Sequence, residues 1–155
     1  MPEDNPSKTI GVVTELTLIA KLKEGHAGAL RQTLNALQIN PASPIRQIDT
    51  IHFARWVIFD NDTRLLFTSN FDHSWEGYLR DFSLRTPQGM DAIFGHCEDY
   101  PVRGCADFEG FKAFVRAKQV PTDLFYAAYP EATVQEVRRG LVVKKLTDEF
   151  LEKLG

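Results

Sequence analysis

The sequence has no long hydrophobic run, only two cysteines and no excess of positive charge. No apolar stretch in its 155 residues approaches the roughly 20 residues that span a bilayer, so no membrane partner is expected. The formal net charge is −3 and no Lys/Arg-rich run occurs, which argues against a nucleic-acid partner. The N-terminus is polar and acidic, unlike a signal peptide, so a cytoplasmic location is expected, with Cys97 and Cys105 as free thiols.

Motifs of common catalytic sites are also missing. There is no G-x-S-x-G, no P-loop and no G-x-G-x-x-G, so hydrolase, nucleotide-phosphate and Rossmann-type functions have no motif support. Residues 96–99, HCED, together with Cys105 offer ligand-type atoms, but their spacing matches no zinc signature. No metal site is predicted there, and His96 is either an axial haem ligand or an ordinary loop residue.

Hydrophobic periodicity supplies the positive evidence for the fold. Residues 1–10 are expected to be disordered and residues 11–155 to form one domain. Period-two and aromatic or β-branched patterns predict strands over 14–22, 49–60, 64–72 and 121–130. Helical spacing predicts helices over 26–37, 74–82 and 108–120, and from 131 to the end with a possible break at Gly140. This order predicts an α+β fold: a ferredoxin-like βαββαβ antiparallel sheet with helices on one face and a helical insertion, residues 83–106, before the last strand.

The C-terminal helix is expected to begin against the sheet. Helical spacing predicts that its apolar residues lie on roughly one side of the helix: Val137, Leu141, Leu146, Phe150 and Leu154. Packing on the sheet explains its start, and the part beyond Gly140 is expected to cross to a partner subunit.

The strand IHFARWVIFD, residues 51–60, carries the best functional lead because it holds His52 and Arg55. A two- or four-residue turn after it would place His52 opposite Phe71 and Arg55 opposite Thr68 in the hairpin. His52 then lies on the face that packs against helices, and Arg55 lies on the other face. A three-residue turn would reverse this assignment.

The second face gathers polar groups beside aromatic ones. Its predicted members are Phe53, Arg55, Thr68, Asn70 and Asp72. Such a face suits a small-molecule pocket, although an antiparallel sheet can also leave one face in water. Arg55 with Asn70 and Asp72 could anchor a carboxylate or polarise an oxidant. The alternatives are an ion pair across the hairpin, or Asp72 as the N-cap of the next helix. His52 is a general base, a haem ligand or a buried structural histidine.

Residues 14–37, TELTLIAKLKEGHAGALRQTLNAL, resemble the opening of the dimeric α/β-barrel superfamily. In that group a strand is followed by a Lys/Pro-Gly-type turn and a helix that starts with small or acidic residues. Its members include antibiotic-biosynthesis-type monooxygenases, haem-degrading enzymes and dye-decolourising peroxidases. The resemblance implies a homodimer of two ferredoxin-like sheets packed face to face, with a substrate or haem held by the sheet. The GxxDG motif of the peroxidases is missing, and the insertion departs from the small monooxygenases.

The sequence therefore predicts a small oxygenase-like or haem-associated enzyme that acts on a small hydrophobic or aromatic molecule. Arg55 and His52 are the predicted catalytic residues, and His96 is the candidate haem ligand. Phe53, Thr68, Asn70 and Asp72 are the predicted ligand contacts. The alternatives are a non-catalytic dimeric module that binds a ligand or assists another enzyme, and a purely structural dimer.

Overall fold

The computed structural model describes residues 6–155, which form an α+β fold with one four-stranded antiparallel sheet. The strands are β1 (Thr9–Ile10), β2 (Val13–Lys21), β3 (Ile51–Phe59) and β4 (Arg64–Asp72). The helices are α1 (Ala27–Ile39), α2 (Trp75–Arg85), α3 (Pro87–Phe94), α4 (Phe108–Lys118) and α5 (Val134–Leu154), with a 3₁₀ turn at Pro44–Gln47. None of the helices in residues 6–155 is long and apolar enough to cross a membrane.

Strands β2, β3 and β4 and helices α1, α2 and α4 confirm the predictions from periodicity to within a few residues. The insertion was expected to be helical, and it contains α3. Two other predictions differ. Thr9–Ile10 form a strand inside the segment expected to be disordered, while residues 1–5 lie outside the described residues. Helix α5 runs through Gly140 without the possible break.

Only the start of α5 packs against the body of the molecule. Val134 is 6% exposed and its N–H bonds Asp72, but every residue from Gln135 to Gly155 is exposed. The expected packing of this helix on the sheet therefore ends at Val134. The prediction of a single apolar side is wrong, since Val137 and Leu141 lie nearly opposite the later apolar residues.

The predicted last strand, residues 121–130, is wrong. The chain there forms no strand, and its backbone pairing with β2 comes just before it. Gln119 forms a single antiparallel bridge with Leu18, and the Val120 N–H donates to the Thr17 carbonyl at 2.8 Å. Pro121 follows directly and has no N–H to continue a ladder, so the pairing stops.

The sheet order β1-β2-β4-β3 places β4 in the centre and β3 at an edge. The β3–β4 register pairs Phe59 with Arg64 and Arg55 with Thr68, which confirms the predicted parity. The turn between them is the four residues 60–63. Three of these, Asp60, Asn61 and Asp62, have positive φ values of 57°, 53° and 65°. Asn and Asp are the non-glycine residues that tolerate this backbone best.

A β-bulge at the start of β3 changes the position of His52. Ile51 pairs with Phe71 and Phe53 pairs with Asn70, which leaves His52 as an extra residue between them. The prediction that His52 lies opposite Phe71 on the helix-packed face is therefore wrong. The extra residue frees the His52 side chain from the strand alternation, and it turns toward Asp72 on the other face.

The hydrophobic core lies between the sheet and helices α1–α4, on one face only. Aromatic rings dominate it. Phe71 of β4 stacks on Tyr78 of α2 with ring centroids 3.7 Å apart, and the Tyr78 hydroxyl bonds the buried Ser69 hydroxyl at 2.6 Å. Phe94 of α3 lies within 7 Å of four further rings, Phe67, Tyr100, Phe111 and Phe114. Burial of so many rings holds the helices firmly to one side of the sheet. The opposite side, the open face, carries the candidate site.

Candidate functional site

The open face brings together six of the seven predicted site residues. They come from two adjacent strands: His52, Phe53 and Arg55 from β3, and Thr68, Asn70 and Asp72 from β4. Strand alternation explains the β4 set, because residues two apart share a face. The bulge explains why His52 and Phe53, although consecutive, both reach this side.

A histidine–carboxylate pair lies at one end of the face. His52 Nε2 is 2.6 Å from Asp72 Oδ1, and the Asp72 side chain is only 3% exposed. The other carboxylate oxygen, Oδ2, accepts the Val134 N–H at 2.9 Å in the first turn of α5. An ionised carboxylate only accepts hydrogen bonds, so the neutral His52 ring that pairs with it carries its proton on Nε2 and has Nδ1 as an acceptor.

Asp72 is therefore not the N-cap of α2, as one alternative proposed. That cap is Ser74, whose hydroxyl accepts the Gly77 N–H at 3.1 Å. Asp72 instead supports the start of α5, where Thr133 and Glu136 form a capping box. A carboxylate near a helix N-terminus is electrostatically favourable.

Arg55 is exposed on the open face. Among residues 6–155, no carboxylate lies within ion-pair distance of it, so the predicted alternative of a pair across the hairpin does not form. Thr68 is its partner across the ladder. An arginine with no internal partner keeps its planar array of donors free for an anionic group.

Three hollows meet at Phe53, whose side chain is 77% exposed. The edge hollow, about 390 Å³, lies between β3, α1 and the 3₁₀ turn and includes His52 and Arg55. The face hollow, about 320 Å³, includes Arg55, Thr68 and Asn70. The cover hollow, about 160 Å³, includes His52, Asn70 and residues 125–129. The Phe53 ring thus forms a wall shared by all three, between the histidine and the arginine.

Residues 121–130, the cover segment, close one side of this region, which sequence reasoning did not predict. The Val12 N–H donates to the Pro130 carbonyl at 2.8 Å, and Thr122 donates to the buried Glu15 carboxylate at 2.8 Å. Gly11 makes this approach possible, since its φ is +60° and an added Cβ would lie 2.2 Å from the Pro130 oxygen. The prolines at both ends of the segment were the available signal, because they disfavour a central strand.

His96 lies away from the other predicted site residues. Its carbonyl accepts the Lys23 N–H just beyond the C-terminal end of β2, whereas Asp72 pairs with Val13 at the other end. Nine residues of strand separate these ends by roughly 30 Å. The Nδ1 atom of His96 is 3.0 Å from Nδ1 of His26, and the two rings meet edge to face.

The pKa of His96 is lowered, first by its burial and then by the nearby His26 and Lys23 charges. The unfolded chain, with an ordinary histidine pKa of about 6.5, therefore takes up this proton at a higher pH than the folded chain. The stabilisation is fully present above the unfolded pKa and is lost as pH falls toward the folded value. We expect the urea midpoint to fall between about pH 7.5 and about pH 5.5, and to fall less in His96→Gln.

His73→Asn is the matched control for this measurement. His73 is exposed and has a φ of 72°, a backbone that asparagine also tolerates. Equal slopes of midpoint against pH in the wild type and His96→Gln would contradict the prediction.

The two cysteines are in surroundings that disfavour the thiolate form. Cys97 and Cys105 are buried free thiols, and burial raises the pKa of each to about 12. Almost no thiolate is present near neutral pH, and the thiolate is the reactive form.

Neither candidate histidine is without a partner: Nε2 of His52 is bonded to Asp72, and Nδ1 of His96 is bonded to Nδ1 of His26. Haem binding by one of them stays a prediction. Within residues 6–155, no group of three or more His, Cys, Asp or Glu side chains could hold a metal ion. We therefore derive no step through haem.

Comparisons of the chain with protein-family models, with curated proteins and with solved structures found no match. The resemblance to dimeric α/β barrels thus stays a prediction.

Proposed function

We propose that the open face is the active site of a small oxygenase-like enzyme acting on a small hydrophobic or aromatic molecule with an acidic group. The observation that carries this proposal is the His52–Asp72 pair, with a fixed proton and a free Nδ1, beside an arginine that has no internal partner. Acid–base chemistry and anion binding are the two functions these groups perform best.

His52 is the proposed general base. Its Nδ1 takes the proton of the bound acidic group, and the Asp72 carboxylate stabilises the imidazolium that forms. The same logic of base and orienting carboxylate operates in catalytic triads on unrelated folds. Because Asp72 is almost fully buried and bonded at both oxygens, it holds the ring of His52 in one orientation.

Arg55 is the proposed binding group for the anion formed by this proton transfer. Asn70 and Thr68 supply neutral hydrogen-bonding groups beside it, and the Phe53 ring supplies a face on which an aromatic molecule can stack. The hollows have both apolar and polar walls, which suits a small ring bearing one charged substituent.

The proposed reaction uses dioxygen as the oxidant and takes its electrons from the substrate. In the simplest case a phenol loses its hydroxyl hydrogen and one ring hydrogen, and the ring carbon gains one oxygen atom as a carbonyl. The second oxygen atom of O₂ leaves with the two hydrogens as water, so atoms and electrons balance. The role of the protein is to form and hold the phenolate, which reacts with oxidants more readily than the phenol.

We further propose that β2, α1, β3 and β4 are the first part of a ferredoxin-like domain. In support, β4 lies between β2 and β3, and α1 connects β2 to β3. The single antiparallel bridge from Gln119 to Leu18, beside β2, also supports this proposal.

Oxygen uptake with a panel of phenols and aromatic acids tests the proposed function. We expect His52→Gln to lower turnover by about 100-fold or more with little change in Kd. We expect Arg55→Ala to weaken binding of the anionic molecules by about tenfold to 100-fold. Arg85→Ala, an exposed arginine on α2, is the matched control and should change neither.

Binding that depends on Arg55 without any oxygen uptake would support the non-catalytic ligand-binding module instead. If neither binding nor uptake responds to His52 or Arg55, this face is not the site.

A further inference from the structure

The cover hollow lies between the sheet and the cover segment, and most of its walls are apolar. Val13 and Phe53 line it from the sheet, and Phe125 and Ala127 line it from the cover segment. Val13 is buried, and Phe125 and Ala127 are half-buried although they belong to a segment whose neighbouring side chains are exposed. Walls of this kind favour an apolar group over a charged one.

The volume of the cover hollow, about 160 Å³, matches a single aromatic ring. An apolar cavity of about 150 Å³ is large enough to bind benzene. A fused bicyclic molecule such as naphthol is larger by a second ring and exceeds this space. The size of the hollow therefore favours a monocyclic molecule.

Two polar side chains of the open face, His52 and Asn70, also line the cover hollow. Within residues 6–155, the Asn70 amide has no hydrogen-bond partner, and His52 is oriented by Asp72. A few polar groups in an otherwise apolar wall fix the orientation of a ligand. A hydroxyl on a bound ring would thus lie toward His52 and Asn70. Asn70 also lines the face hollow, so this oxygen would lie on the side that holds Arg55.

The cover segment is fixed to the sheet at both ends. At its start the Thr122 hydroxyl donates to the Glu15 carboxylate at 2.8 Å, and at its end the Pro130 carbonyl accepts the Val12 N–H at 2.8 Å. Glu15 is 4% exposed, and its other oxygen accepts the Lys8 N–H at 2.7 Å. These bonds set the height of the segment above the sheet, and with it the depth of the hollow.

We propose that the cover segment restricts the site to monocyclic phenols, and that Phe125 and Ala127 set this limit. The ring occupies the cover hollow between these two side chains and the sheet, with its hydroxyl toward His52 and Asn70. The choice of a phenol rests on the proposed function, whereas the limit of one ring follows from the hollow itself. Ala127 leaves the space open because its side chain is small, and Phe125 closes the space to a second ring.

Ligand-observed NMR titrations with phenol and with naphthol test this limit without any turnover. We expect the wild type to bind phenol about tenfold or more tightly than naphthol. Ala127→Leu fills the hollow and should weaken the binding of phenol by about tenfold or more. Ala92→Leu is the matched control, because Ala92 is exposed on α3, and it should leave both affinities unchanged.

Phe125→Ala tests the same limit in the opposite direction. It removes one ring from the wall and makes room for the second ring of naphthol, whose affinity should rise by about tenfold. A gain of binding cannot arise from a loss of folding. Leu124→Ala is the control, since Leu124 is the preceding residue and is 81% exposed. It should leave the affinity for naphthol unchanged.

Thr122→Val tests whether the bond to Glu15 sets the depth of the hollow. Valine keeps the volume of the side chain but cannot donate to the carboxylate, so the start of the cover segment can rise. The preference for phenol over naphthol should fall by about threefold or more. An unchanged preference would show that this bond does not hold the segment at its height.

Naphthol binding as tight as phenol binding in the wild type overturns the inference. So does the absence of any phenol binding, or an affinity for phenol that Ala127→Leu leaves unchanged. The proposed function fails separately: phenol binding that depends on Ala127 without oxygen uptake contradicts the enzymatic proposal alone. Oxygen uptake as fast with naphthol as with phenol contradicts the limit of size alone.

Discussion

Replacing Asp72 with alanine is expected to lower the free energy of unfolding by about 2–4 kcal/mol. The side chain is 3% exposed and serves two partners, His52 through Oδ1 and the Val134 N–H through Oδ2. Alanine leaves that N–H and the half-buried ring without an acceptor, and the desolvation cost of each then counts against the folded state. Urea denaturation monitored by circular dichroism measures the change.

Asp72→Asn is the control that separates stability from the proposed chemistry. The amide keeps the volume and keeps an oxygen for the Val134 N–H, so most of the stability should return. Its NH₂ group must then face His52 and donate, which reverses the tautomer and removes the acceptor at Nδ1. The turnover of Asp72→Asn should therefore be about 100-fold or more below that of the wild type. If the Asp72→Ala variant proves as stable as the wild type, the His52–Asp72 pair contributes little to folding.

Replacing Phe94 with alanine is expected to cost about 3–5 kcal/mol of stability. Phe94 is 2% exposed and touches four aromatic rings from β4, α4 and the loop before α4. The cavity left behind has walls on three elements, which cannot all close on it without losing their other contacts. The urea midpoint should fall with an unchanged slope.

Phe53→Ala is the matched control, since it removes the same side chain from an exposed position, 77% accessible on the open face. It should change stability by less than about 0.5 kcal/mol. Similar losses in the two variants would contradict the view that the rings under α3 and α4 are the centre of the core. A loss of ligand binding in Phe53→Ala with full stability would support its proposed role as a stacking wall.

The local patterns of the sequence were enough to predict most elements of the fold. β4 alternates apolar and polar residues because its core face carries the apolar ones. The pairing of Arg55 with Thr68 followed from the assumed length of the turn, which the four residues 60–63 satisfy. The prediction of a strand over residues 121–130 was wrong for a physical reason. Their aromatic residues resemble a strand, yet Leu124, Tyr126 and Tyr129 are exposed and the segment lies over the sheet rather than within it.

Only part of the candidate site could be predicted from the sequence. Phe53, Arg55, Thr68 and Asn70 follow from the strand alternation once the turn is given an even number of residues. The contact between His52 and Asp72 depends on a β-bulge, and nothing in the sequence of residues 51–53 predicts a bulge there. The pairing of His96 with His26 needed the path of the chain from α3 back to the end of β2, which local sequence does not contain.

The bulge at His52 also changes how β3 would respond to the loss of one residue. Ile51 packs against the core although it is an odd number of positions from Ala54, because the extra residue shifts the alternation between them. Deleting His52 would therefore leave the apolar residues on both sides of the deletion in phase with the sheet, and the core would be kept. Deleting any residue inside β4 would turn half of its buried side chains outward. The hydrophobic pattern of β3 accommodates the chain with or without this residue, so the contribution of His52 is to the open face and not to the core.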